Sequence, residues 1–287
     1  FFSLIYSVIV IFLTWVLYKL SALIGLTGNL YLNRFGSFAG KLHNQLKVFG
    51  KSLSTRLPSV FQQIPWGVIV VTITAGVVSW YFSNDLFKHI PRVNDEGIYL
   101  FQAKVFASGR WFVPPPEPAE CFKYLGIWWP DRIFSYYTFG HSLILALGFL
   151  TNLLHFLPAM ATALAVMFTV LVSREIYQSR FTAITAGFLL TLSPLFMLLG
   201  GSYMSHTTST AANMMFLFFL IRADKKSSKL LAAPAGMTLG AAIAIRPVTA
   251  IIFALLPLAS MLFRKITRKR LALFAVFTIA CILVAMT

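Results

Sequence analysis

An all-α integral membrane protein built around a large outer loop is the fold class that this sequence predicts, on three observations. The 287 residues are 58% hydrophobic, with a mean hydropathy of +0.79, more than a soluble chain needs. The apolar residues come in stretches near the ~20 residues that cross a bilayer. The basic residues cluster between those stretches, while the acids gather elsewhere. Of 8 Asp and Glu, set against 24 Lys and Arg, six lie between 84 and 135: Asp85, Asp95, Glu96, Glu117, Glu120 and Asp131.

The net charge of +16 would suggest nucleic acid in a soluble chain. Here the bases flank apolar stretches, so the positive-inside bias of cytoplasmic loops and the pull of anionic lipid account for them. Membrane lipids are the expected partners, and nucleic acid is not. Cys121 lies in the acidic loop and Cys281 in an apolar stretch. They suggest neither a disulfide framework nor a metal site.

Residues 1–27 read as a first span with Lys19 its only charge. Residues 28–63 carry Arg34, Lys41, Lys47, Lys51 and Arg56 and no acid, which makes them a basic cytoplasmic segment lying on the membrane surface. Together, 1–63 form an amino-terminal extension. Pro65 opens a second span that runs to about Phe82. The loop from 84 balances its six acids with Lys88, Arg92, Lys104, Arg110, Lys123 and Arg132. A neutral loop facing a basic segment across one span is the outer loop. Pro114, Pro115, Pro116 and Pro118 keep it extended, and Trp111, Trp128 and Trp129 suit the headgroup level.

Residues 139–156 are apolar but hold Gly140, His141, Asn152 and His155. A full span there would place the later basic clusters on the wrong side, so an outer, partly embedded helix with interfacial histidines is expected. Spans at 157–172, 181–200, 208–221, 230–245 and 248–263, with another starting at 271, keep Arg174, Arg180, Arg222, Lys225, Lys226, Lys229 and the 264–270 cluster inside. The chain starts at Phe1 and ends at Thr287 within an apolar run, so a fragment with its carboxy-terminal part missing is expected.

The stretch that organises the chain is NDEGIYLFQAKVFASGRW, 94–111. Asn94 is placed to cap a helix and Gly109 to end it. Ile98, Phe101 and Val105 share one face, for membrane or protein; Asp95, Tyr99 and Gln102 share another. Acids in a first turn also answer the helix dipole, with no further role required.

In order and spacing the chain resembles the GT-C class of membrane glycosyltransferases. Within it, the resemblance is to the family of protein O-mannosyltransferases and the lipid A aminoarabinose transferase. Their first outer loop opens with an Asp-Glu pair and a Tyr, then a small-residue helix ending in Gly, an aromatic and Pro. Here these are Asp95, Glu96, Tyr99, Ala103, Gly109, Trp111 and Pro114. Where the family has an aromatic, two prolines and Gly, this chain has Tyr136, Tyr137, Thr138, Phe139 and Gly140, so two prolines are replaced. Further echoes are FTAITAGFLLTLSPLF at 181–196, with an outer turn to His206, and GMTLGAAIAIRP at 236–247. The likeness covers about 64–287 and implies a truncated GT-C-type helix bundle with an outer catalytic loop, 84–156.

The resemblance implies transfer of a sugar from a polyprenyl-phosphate donor to a lipid, glycan or protein acceptor, with inversion, on the outer face of a bacterial-type plasma membrane. Such chemistry needs a base for the acceptor hydroxyl and a cation for the departing phosphate. Asp95 is the expected base, and Glu96 an orienting acid, roughly 100° away around the helix. Arg246 stands in an outer turn beside Pro247, where a charge near hydrocarbon faces a partner or a cavity. Its plainer reading is a headgroup anchor. Tyr99 and Tyr137 belong to the matched motifs. Lys123 follows Asp95 at a distance where the family also has a Lys. His206 stands where the family often has an Asp, and would meet acceptor or phosphate, or be a polar turn residue. No metal or other cofactor is expected. The rival function is a multi-spanning transporter or lipid flippase, disfavoured because the spans lack midmembrane charges. A non-catalytic relative of the transferases is the third.

Overall fold

Long apolar runs fold as helices because only a helix satisfies every backbone N–H and C=O within one segment. The computed structural model describes residues 66–115, 117–118, 127–128, 131–262 and 268–285, and they are mostly helical. The expected span 1–27 and basic segment 28–63 lie outside the described residues, as do Lys123, Cys121, Pro116 and Trp129.

Helix α1, Trp66–Tyr81, continues into a π-helical turn, Phe82–Leu86. Lys88 and His89, at φ 54° and 56°, then turn the chain towards α2, Asn94–Ala107. A small antiparallel pair follows, β1 Ile127–Trp128 with β2 Phe134–Ser135. Next come α3 Phe139–Thr151, a 3-10 turn Leu154–Phe156, α4 Leu157–Tyr177, α5 Arg180–Leu192 and α6 Pro194–Gly201. The last four helices are α7 Ser205–Lys226, α8 Lys229–Ile245, α9 Pro247–Leu262 and α10 Arg268–Ala285.

Among the described residues two stretches, Trp66–Leu86 and Leu154–Tyr177, are long and apolar enough to cross a membrane, and α5 with α6 makes a third if that bent pair is one span. The single span expected at 181–200 is therefore a break of 66°. Its cause is Pro194, which has no N–H to continue a helix, while the Ser193 hydroxyl caps α6 by accepting from Phe196 N at 3.4 Å. The spans expected at 230–245 and 248–263 and from 271 fall on shorter apolar helices, Lys229–Ile245, Pro247–Ser260 and Ala272–Ala285. The span expected at 208–221 belongs to α7, 22 residues long, whose opening turns hold Ser, Thr and Asn side chains. At 13 residues, α3 is ~20 Å long, too short to cross a ~30 Å core.

Helix α8 lies among α7, α9 and α10. Phe216, Leu220, Ala235, Leu239, Ile245 and Phe277 form a buried core there. Gly236 and Gly240 let α8 meet the backbone of α10: a methyl at either would overlap the carbonyl oxygen of Phe277 or Cys281. Small residues at such crossings replace the missing hydrophobic drive between apolar helices. Helix α4 packs on α1, α5 and α7. At its carboxy-terminal end Glu175 pairs with Arg222 Nε and Lys225 Nζ of α7, both at 3.1 Å. His206 stands at the other end of α7, sixteen residues from Arg222, or ~24 Å by helical rise.

Candidate functional site

Helix α2 exposes only Asn94 and Lys104. Ile98, Tyr99, Gln102, Ala103 and Val105 are all buried, so the expected amphipathic division is replaced by burial on two faces. The polar face is buried because its groups find partners. The Gln102 amide N–H donates to Trp111 O at 3.0 Å, and its carbonyl accepts from Ser135 N at 2.8 Å. The Tyr99 hydroxyl bonds Ser205 Oγ at 3.0 Å. Asn94 does not cap the helix; Val93 holds that position without a side-chain cap. Gly109, at φ 75°, does follow the helix end.

Asp95 and Glu96 face different surroundings. Glu96 is 3% exposed. Its Oε2 accepts from Tyr203 N at 3.1 Å, and its Oε1 from Arg92 N at 3.4 Å. Burial pushes its pKa up, and the backbone N–H groups of Tyr203, Arg92 and Val93 act against that. Glu96 thus ties the start of α2 to the turn between α6 and α7. Asp95 is half-buried and interacts with the Tyr137 hydroxyl, whose pKa is raised by burial first, then by hydrogen bonds to Tyr136 and Asp95.

Around Asp95 the chain brings together residues from four segments. The Tyr137 ring stacks on Tyr99 with centroids 4.8 Å apart, and His141 meets Tyr99 edge-on at 4.9 Å. His206, half-buried at the start of α7, has its pKa lowered by burial and by Arg246, while Asp95 pulls the other way. The same two charges act in the same senses on Tyr99, whose pKa is raised first by burial, with Arg246 lowering it and Asp95 raising it. So Asp95, Tyr99, Tyr137, His206 and Arg246 lie within electrostatic reach of one another. Among the described residues the Arg246 guanidinium has no hydrogen-bond or ion-pair partner, and the buried Nδ1 of His206 has none. A half-buried guanidinium left in this way has its planar fork free to take an anion.

Arg246 is held from below. It ends α8 and Pro247 starts α9, so the backbone breaks at its position. Thr138 Oγ1 donates to Ile245 O at 2.8 Å, and a Cβ on Gly140 would come within 2.6 Å of Ala244 C. Thr138 lies at φ −61° and ψ 147°, a conformation that proline also adopts. Thr138 thus follows a backbone path that proline would also fit, and it adds a bond to the segment that carries Arg246.

Sequence reasoning missed the importance of Tyr203 and misplaced one histidine, His141. Tyr203 is 2% exposed. Its N–H goes to Glu96, its carbonyl accepts from His141 Nε2 at 2.8 Å, and its hydroxyl meets His155 Nδ1 at 2.9 Å. His141, expected at the interface, is instead buried, 3% exposed; His155 is exposed, with its ring tilted against His89 at 4.1 Å. Burial, opposed by the bond to Tyr203 O, brings the His141 pKa down to about 4. It is therefore neutral near pH 7, with the proton on Nε2. The sequence signal was a His four residues after Tyr137, one helical turn into α3.

No family model matches this chain, and neither a curated protein nor a solved structure does.

Proposed function

We propose that this protein is an integral membrane glycosyltransferase of the GT-C class, moving a sugar from a polyprenyl-phosphate donor to an acceptor on the outer face. The observation that carries the reading is the meeting of a carboxylate, two tyrosines, a histidine and an unpaired arginine at one end of the helices. The Arg222, Lys225 and Glu175 cluster stands at the other end, where the positive-inside bias puts cytoplasm. In this reading 84–156 and the Arg246 turn face outward, with a bacterial-type plasma membrane as the setting.

The step runs as a single displacement. The acceptor hydroxyl oxygen forms a bond to C1 of the sugar as the bond from C1 to the phosphate oxygen breaks. The bonding pair leaves with the polyprenyl phosphate, the acceptor proton passes to Asp95, and the anomeric centre inverts. Tyr137 and Tyr99 hold the carboxylate side, and Arg246 with His206 receives the departing phosphate. Glu96, committed to two backbone N–H groups, positions α2 and takes no proton. Lys123 keeps only the role that the resemblance implies for it, on the donor.

Asp95→Asn tests the reading. In nanodiscs with a panel of labelled polyprenyl-phosphate sugars, turnover should fall about 10²–10⁴-fold, the usual loss on removing a positioned base. Donor binding should persist, and Glu96→Gln should cost less turnover. An Asp95→Asn protein that turns over like the unaltered one ends the proposal.

A further inference from the structure

A cleft of about 510 Å³ opens beside Tyr137, within the usual size range of small-ligand sites. Six aromatic rings line it: Phe106, Trp111, Phe134, Tyr136, Tyr137 and Phe139. Phe106 and Trp111 meet edge to face at 5.2 Å, and Tyr136 leans on Tyr137 at 4.3 Å. The aromatic row therefore runs from the cleft through Tyr137 to Tyr99 and the Asp95 centre.

Two features set the kind of ligand. The first is charge. In a chain with 24 Lys and Arg, no charged side chain among the described residues lines this cleft. Its polar lining is Gln102, Ser135 and Thr138, all neutral. An anionic ligand would leave its charge uncompensated here, whereas the neighbouring Arg246 side suits one. The second feature is that these groups are held with capacity to spare. Gln102 has used one N–H on Trp111 O and retains the other. Ser135 Oγ accepts from Tyr137 N at 3.0 Å and still has its proton to donate. Flat aromatic faces beside fixed neutral donors match a pyranose ring, which has C–H faces and a hydroxyl edge. A lipid tail fits less well, because the walls come from α2, β2, the 111 turn and the start of α3, none of them a candidate span.

Trp111 and Tyr136 are each 60% exposed. Rings of that size left open around a concave site mark a contact surface. We propose that this cleft is the acceptor subsite and holds a neutral glycan, with Trp111 and Tyr136 as its stacking walls. The glycan's reacting hydroxyl then points past Tyr137 towards Asp95. This rests on the glycosyl-transfer reading, and its test has a readout that does not need transfer.

The full-length protein in lipid nanodiscs is applied to an array of neutral oligosaccharides, phosphorylated or carboxylated oligosaccharides, and Ser/Thr peptides. Retention on a subset of neutral glycans is expected. Trp111→Ala and Tyr136→Ala should each weaken it at least tenfold, with Trp111→Phe recovering part, and Asp95→Asn should still bind. Thermal unfolding checks that the variants fold. No retained neutral glycan, retention confined to anionic glycans or to peptides, or unchanged binding in both alanine variants overturns the inference. Unchanged glycan binding with poorer nanodisc incorporation makes the rings headgroup anchors and also overturns it. Glycan retention without any sugar transfer sinks the transferase reading alone. Transfer unaffected by the alanine variants sinks the cleft alone.

Discussion

Helix α8 passes through two regions that are held together in different ways. Along its middle it meets α10 and α7 through Gly236, Gly240, Ala235 and Leu239, where close approach of backbones does the holding. At its end, the Ile245 carbonyl is bonded by Thr138, and Arg246 stands among Tyr99, His141 and His206. The first region depends on shape and is indifferent to pH. The second depends on hydrogen bonds and on which groups carry protons. Packing makes the frame rigid, and the polar end spends that rigidity on holding an unpaired cation near a carboxylate.

The largest effect should come from the packed region. Gly236→Val would set a branched side chain against the α10 backbone, which cannot rotate away as a side chain can. Overpacking typically costs about 1–3 kcal/mol, and a backbone partner puts this case at the upper end. Thermal unfolding in detergent should show a lowered midpoint, with turnover per folded molecule little changed. An unaltered midpoint would mean that α8 and α10 do not approach so closely.

The polar end should instead answer to acid. The His141 pKa is depressed from 6.5 to about 4, so the fold favours its neutral form. That contribution is complete above about 6.5 and is lost as pH falls towards 4, about 3 kcal/mol at one pKa unit per 1.36 kcal/mol. His89 and His206, also depressed, act in the same direction; Glu96, raised, acts in the opposite one. Hydrogen exchange between pH 7 and 4 should loosen α3 and the 202–206 turn before α8 and α10. His141→Gln keeps a donor for Tyr203 O and should flatten the dependence. If α10 loosens first, the comparison fails.

The smallest effects concern Arg246. Arg246→Ala should raise the donor concentration needed for half-maximal transfer by ten- to a hundredfold, from charge-assisted bonds of about 1.5–3 kcal/mol. Arg246→Lys should recover part, lacking the planar fork. Thr138→Val removes only the hydrogen bond beneath it and should shift the same requirement by a few fold. An unchanged donor requirement in Arg246→Ala would leave the residue a headgroup anchor.

Much of this was legible in the sequence for reasons that act over a few residues. Apolar runs announced helices, Gly109 marked the end of α2, and the six acids between 84 and 135 set that stretch apart from the basic clusters. Helical spacing alone put Asp95, Tyr99 and Gln102 on one face. The same local rules failed where long-range partners took over. Asn94 lost the cap position, and the polar face of α2 was buried.

The sequence by itself determined that the chain is helical and apolar, with its acids gathered in one loop, because composition and periodicity are local properties. Only the tertiary structure decided that Glu96 turns to Tyr203, 107 residues away. It alone brought Thr138 to Ile245, also 107 residues away, and put His141 inside. A hydrogen bond across that separation depends on how whole helices pack, and no pattern within a few turns encodes it.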